Sequence, residues 1–159
     1  MLLLLACVHA PRVVDDRSLT YTSQAWIDAP PEHVWDALVD FERYAEWNPW
    51  LLHAQGSAVV GERVDAVVLL NGETRDAGHV VLQVDEPSVF CWRDAGAQVA
   101  VAYGQRCRWL VAHDGGTQLR VELLVEGPVR GTVDRQYGAA MQTGLDAETA
   151  ALKDYVEAH

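Results

Sequence analysis

Between Leu52 and Glu126 the chain carries only strand and turn signals, and after Gly127-Pro128 the period of its apolar residues switches to that of a helix. Strand-like runs at His53–Val60, Arg63–Leu70, Ala77–Val84, Val89–Arg93, Val99–Ala112 and Thr117–Glu126 are set off by turn residues. These are Gly61-Glu62, Asn71-Gly72, Asp85-Glu86-Pro87 and Asp114-Gly115-Gly116. Successive strands with no helix between them predict an antiparallel meander.

Beyond Pro128, the residues Val133, Tyr137, Met141, Leu145, Leu152, Tyr155 and Val156 fall mostly three or four apart, one face of a long helix. Gly138 and Gly144 lie within it, each costing about 1 kcal/mol relative to alanine. They either let the sheet approach closely or mark a bend. Upstream, Leu19–Ile27 is rich in β-branched and aromatic residues and reads as a first strand, stopped by Asp28-Ala29-Pro30-Pro31. Asp28 is placed to cap the next helix, whose first turn suits proline. That helix carries Val34, Trp35, Leu38 and Val39 on one side, and a second short helix, Phe41–Trp47, is closed by Asn48-Pro49. The order is β, α, α, six strands, α. An amphipathic helix must bury its face, and the concave side of a bent sheet is the partner at hand.

At 159 residues, half of them hydrophobic, the chain suits one domain with a sizeable core. Its net charge of −11 argues against a nucleic-acid partner, which wants clustered Lys and Arg, and against an electrostatic hold on anionic lipid headgroups. Cys7, Cys91 and Cys107 form no CxxC pair and share no short spacing with histidine, so neither a zinc site nor a disulfide framework is expected. Cys91 and Cys107 read as buried free thiols. The first residues are MLLLLAC. This apolar run is shorter than the roughly 7–15 residues of a secretory signal, and no basic residue precedes it. Yet LLAC is similar to the end of a bacterial lipoprotein signal, with Cys7 at the lipidated position. Residues 1–17 are therefore read as an N-terminal extension and 18–159 as the folded domain. A cytoplasmic location is the first expectation, and an exported lipoprotein whose start lies upstream is the alternative. No segment approaches the ~20 apolar residues of a membrane span.

The segment Ile27–Leu51, IDAPPEHVWDALVDFERYAEWNPWL, resembles the N-terminal signature of the START-like (SRPBCC) superfamily. That group holds Bet v 1-type allergens, START domains, polyketide cyclases and dehydrases, and Hsp90-activator-like proteins. Further matches follow in order: Gly56 and Gly61 around a hairpin strand, Pro87 and Trp92 in an E-P-x-x-x-x-W step, Gly116-Thr117 at the last strand, and the ending LDAETAALKDYVE. The resemblance covers residues 19 to 157. It implies an α+β helix-grip fold: a curved seven-stranded antiparallel sheet wrapped around a long C-terminal helix, two short helices after the first strand, and a ligand cavity between sheet and helix. It implies no single activity, since this fold hosts many.

The chain has six tryptophans. Trp35 reads as core. Trp47 and Trp50 bracket Asn48-Pro49, which the resemblance places near the cavity mouth, while Trp92 and Trp109 lie in strands whose inward faces would line the cavity. Alternation puts Cys107, Trp109 and Val111 on one face of their strand and Arg106, Arg108 and Leu110 on the other; the apolar set is expected inside. Apolar pockets hold a few fixed polar groups that orient a ligand. The candidates are Arg93, His79, Tyr103, Arg106 and Tyr137, with Tyr137 best placed because its helix face looks into the grip. The expected ligand-binding set is Trp47, Trp50, Trp92, Arg93, Tyr103, Trp109, Tyr137 and Met141.

The histidines are scattered, and there is no HExxH, GxSxG, Walker or Rossmann pattern, so no catalytic residue, metal or cofactor is expected. Asp36, Asp40, Glu42 and Glu46 read as solvated helix faces. The leading expectation is binding or carriage of a small hydrophobic molecule (a lipid, polyketide or aromatic compound), driven by burial of apolar surface at about 25 cal/mol per Å². A polyketide cyclase/dehydrase-type enzyme is the second reading, favoured by a buried Tyr137 bonded to Arg or His. An Hsp90-activator-like interaction module is the third, favoured by a collapsed cavity and an exposed apolar patch.

Overall fold

The computed structural model describes residues 10–159; the MLLLLAC segment, and the lipoprotein reading with it, lies outside the described residues. The strands are β1 Leu19–Ile27, β2 Leu51–Gly56, β3 Arg63–Leu70, β4 Glu73–Asp85, β5 Val89–Asp94, β6 Tyr103–His113 and β7 Gly116–Glu126. They form one seven-stranded sheet in the order β1-β7-β6-β5-β4-β3-β2, with every pairing antiparallel. Helix α1 spans Pro31–Val39, and α2, Tyr44–Trp47, follows a 3-10 turn at Phe41–Arg43. Helix α3 runs 29 residues, Arg130–Ala158. This is the α+β helix-grip architecture that the family resemblance implies, built on the element order that the sequence signals predict.

Local chemistry explains the element ends. Asn71 and Gly72 have φ of 54° and 79°, and Asp114 and Gly115 have 49° and 80°, the left-handed backbone of two-residue hairpins. Because the first of these turns is so tight, ladder pairing continues up to it. β4 therefore begins at Glu73, not Ala77, with Glu73 opposite Leu70 and Arg75 opposite Val68. β2 stops at Gly56, whose φ of 147° leads the chain out of the ladder, and residues 57–60 make the turn instead of strand. Ala97–Ala100 coils into a 3-10 turn, so β6 starts at Tyr103 and not at Val99. Asp28 does not cap α1: the cap position is Pro30, without a side-chain bond, and the Asp28 backbone N–H donates to Glu157 Oε1 at 2.8 Å.

The core lies between the concave face of the sheet and the helices. Leu119, Val121, Leu123 and Val125 of β7 face it at period two, and α3 buries Leu145, Leu152 and Val156 against it. Helix α1 adds Val34, Trp35 and Leu38. Phe90 anchors an aromatic cluster, with Trp35 edge-on at 6.3 Å and Phe41 at 5.8 Å. Each such side chain stabilises the fold by about 1.5–3 kcal/mol on burial.

The convex face has its own small apolar cluster of Leu82, Cys91 and Cys107, flanked by Val89 and Trp109. Cys91 and Cys107 are paired in register across β5 and β6 and joined in a disulfide, not left as free thiols. Facing cysteines on neighbouring strands are close enough to bridge, which spacing along the chain does not reveal. Residues 11–14 cross this face. The Arg12 backbone N–H donates to Gln105 Oε1 at 2.7 Å, and Gln105 Nε2 returns a bond to the Arg12 carbonyl at 3.0 Å. The Arg12 guanidinium meets Glu126 at 2.7 Å and lies over the Tyr103 ring.

Candidate functional site

Alternation along β6 is as expected, but its sense is reversed. Arg106, Arg108 and Leu110 point into the grip, while Cys107, Trp109 and Val111 take the convex face. Period two says which residues share a face; it does not say which face is covered. Cys107 and Trp109 are accommodated outside in the disulfide cluster, beside residues 11–14, while Val111 is exposed.

Two arginines inside a core need a partner, and α3 supplies one. Glu148 sits within the helix's apolar stripe, between Leu145 and Leu152, and is 5 % exposed. Its Oε2 accepts from Arg106 Nη1 at 2.7 Å, and its Oε1 accepts from Asn48 Nδ2 at 2.9 Å. Asn48 in turn accepts the backbone N–H groups of Trp50 and Leu51 at 3.0 and 2.9 Å, which sets the α2–β2 connection. Arg108, 1 % exposed, comes within 3.6 Å of Glu148 Oε1 without a hydrogen bond.

Aromatic rings enclose these charges. The Trp50 ring lies 4.1 Å from the Arg106 guanidinium, and Trp92 lies 4.3 Å from that of Arg108. His79 stacks on Trp92 at 4.5 Å. Burial first, then the two guanidiniums, push the His79 pKa down to about 3, so its ring is neutral. Burial also lowers the Arg106 pKa to about 10, with Glu148 opposing the shift. Burial likewise raises the pKa of Tyr44, whose hydroxyl donates to the Leu38 carbonyl at 2.6 Å. Around this cage several buried polar atoms have no hydrogen-bond partner: Arg108 Nη1 and Nη2, Arg106 Nε, His79 Nδ1, and the indole nitrogens of Trp47 and Trp50. Buried polar atoms are ordinarily satisfied, so this concentration sets the cage apart from the rest of the core.

A mouth of about 380 Å³ opens between the β3–β4 turn and α3, walled by Leu69, Asn71, Ala139, Ala140 and Thr143, with Trp50 and Gly144 among its lining. A Cβ on Gly144 would collide with the Trp50 indole; the glycine permits close approach, as one of the two sequence readings had it. A larger open groove, about 810 Å³, lies over β2–β4 and is lined by small and charged residues such as Ala66, Gly78, Arg63 and Asp65. None of the unpartnered buried donors lies along it.

The structure brings Trp50 and Trp92 into the cage. Trp47 is half-buried beside it, against Tyr44 and Tyr155. Met141 packs on the core from α3, and Tyr137 sits at the mouth end of that helix, accepting a bond from Arg75 Nη1 at 3.1 Å. Arg93, Tyr103 and Trp109 take the convex face: Arg93 pairs with Gln105, Tyr103 lies under Arg12, and Trp109 lies near Arg120. Of the polar candidates, His79 and Arg106 are inside. Arg108, Asn48 and Glu148 were missed. The readable sign of Glu148 was a carboxylate in the apolar stripe of a helix, which demands a buried cation opposite. Among the described residues no group of three or more His, Cys, Asp or Glu could hold a metal, and no helix is long and apolar enough to cross a membrane.

Comparison with known proteins places this geometry. Residues 18–157 match the family model described as polyketide cyclase/dehydrase and lipid transport. The Zhui aromatase/cyclase from Streptomyces superposes with a TM-score of 0.74 at 17 % identity, covering 88 % of this chain and 94 % of that one. Ara h 8.0201 superposes at 0.65 with 17 % identity, covering 89 % and 99 %. A Thalictrum flavum norcoclaurine synthase point mutant, in complex with a transition-state analogue, gives 0.68 at 11 % identity, covering 92 % and 99 %. At these identities the likeness is one of fold. No curated protein matches the chain in sequence.

Proposed function

Since the chain belongs to the polyketide cyclase/dehydrase and lipid-transport family, we propose that it binds a small hydrophobic molecule between the sheet and α3, with a polar end of that molecule turned to the Arg106–Arg108–Glu148 cage. The observation that carries this reading is the set of buried unpartnered donors inside an aromatic wall. An apolar pocket with a few convergent polar groups is the usual form of a small-molecule site. Burial of the ligand's apolar surface supplies affinity at about 25 cal/mol per Å², and the fixed donors supply orientation.

A cyclase or dehydrase activity needs a proton acceptor poised near the working pH. His79 is the imidazole in the cage, and a pKa of about 3 makes it a poor base. Tyr137, the sequence's choice for a phenol in the cavity, accepts a bond from Arg75 on β4 and makes no contact with the cage arginines. Binding is thus favoured over proton transfer. The Cys91–Cys107 disulfide supports an exported location over a cytoplasmic one, because such bonds persist in oxidising compartments.

The test is native mass spectrometry of the protein purified from its own host, repeated after denaturation. A released apolar compound at near-stoichiometric amount is the expected result and gives the ligand class. An empty protein that takes up nothing from a lipid extract overturns the reading.

A further inference from the structure

Resting on that reading, we infer that the bound molecule is a hydrophobic carboxylic acid, its carboxylate held by the Arg108 fork and its body lying where the Trp50 indole now meets Gly144. Charge, hydrogen bonding and access each point this way.

The cage holds two guanidiniums and one carboxylate, with His79 neutral, so one positive charge has no counterion. The other nearby acid, Asp94, lies over Gly104 beside His79 and bonds neither arginine; burial raises its pKa, with the Arg106 charge opposing the shift. An uncompensated buried charge is costly, and an anionic ligand removes that cost.

Hydrogen bonding narrows the ligand further. Each Glu148 oxygen already accepts one bond, from Asn48 or from Arg106. Arg108 Nη1 and Nη2 have no acceptor at all. Two such nitrogens on one planar fork match the two oxygens of a carboxylate, whereas an alcohol offers a single uncharged oxygen. The stacking of Arg108 on Trp92 fixes the plane of the fork.

Access is through the mouth at the β3–β4 turn, whose inner wall is Trp50. That indole rests against the bare backbone of Gly144 and lies 4.1 Å from the Arg106 guanidinium. Its Nε1 makes no hydrogen bond, so packing and the contact with the Arg106 guanidinium hold the ring in place. The proposed route requires the Trp50 side chain to rotate away from Ala140, Gly144 and Ala147, which line the mouth with it.

The experiment titrates the full chain by calorimetry with decanoate against decanol, and with 1-naphthoate against 1-naphthol. Each acid is expected to bind about tenfold tighter than its alcohol or better. The decanoate and naphthoate arms separate aliphatic from aromatic acids. Arg108→Met, and independently Arg108→Gln, should abolish the preference, the acid-to-alcohol affinity ratio falling from about tenfold to about one. Trp50→Ala should speed decanoate association in stopped flow. Equal affinity for acid and alcohol in the unaltered protein overturns this inference and leaves hydrophobic binding standing. A preference that survives both Arg108 variants overturns the assignment to that fork, and an unchanged association rate in Trp50→Ala overturns the route. Failure of all four compounds to bind overturns both readings.

Discussion

Glu148 is the keystone of the polar centre, because Arg106 and Asn48 both end on it and Arg108 has no other carboxylate in the cage. Glu148→Gln keeps the shape and removes the charge, leaving two buried guanidiniums unpaired. A loss of about 3–5 kcal/mol is expected, read as a lower urea midpoint at unchanged slope. A loss below 1 kcal/mol would mean the arginines are solvated in the folded state. His79 makes a second prediction at this scale. The folded protein protonates His79 only near pH 3, while the unfolded chain does so near 6.5. Between those values the unfolded state holds the extra proton, so stability falls as pH drops, by about 1.4 kcal/mol per unit. Above pH 6.5 the contribution is fully present. Urea titrations at pH 7 and 4.5 should show that His79→Gln has a shallower acid loss than the parent; parallel losses would remove His79 as the cause.

Among elements, β6 is where sequence and structure part, and the reason is physical. The hairpin turns at Asn71-Gly72 and Asp114-Gly115 were legible, because only certain residues take positive φ cheaply. So was the stripe of α3. The inward sense of β6 was not legible: Cys107 and Trp109 are apolar for a second, convex cluster, while Arg106 and Arg108 are tolerated inside by a residue far along the chain. The β5–β6 disulfide belongs to the same convex face, and its two cysteines are 16 residues apart. For a loop of that size a disulfide contributes about 3 kcal/mol, largely by restricting the unfolded chain. Unfolding in urea with and without reductant should show a loss of that order, and Cys107→Ala should match the reduced protein. Identical curves would mean that the two thiols are not joined in solution.

Taken whole, the molecule is a single sheet with helices on one side only. Sequence periodicity sufficed for this architecture, since each helix had one apolar stripe and one sheet face to meet. It did not suffice for the content of the grip, which depends on Trp50, Arg106, Arg108 and Glu148 converging from separate elements. Residues 11–14, pinned by Arg12 to Gln105 and Glu126 on the convex face, give the particle a front and a back. Chain entering the domain arrives at the middle of the sheet, on the side away from α3. The mouth at the β3–β4 turn lies on the other, helix side of the sheet. A pull applied at residue 10 would bear on β6 and β7, in the interior of the sheet, before it reached either edge strand.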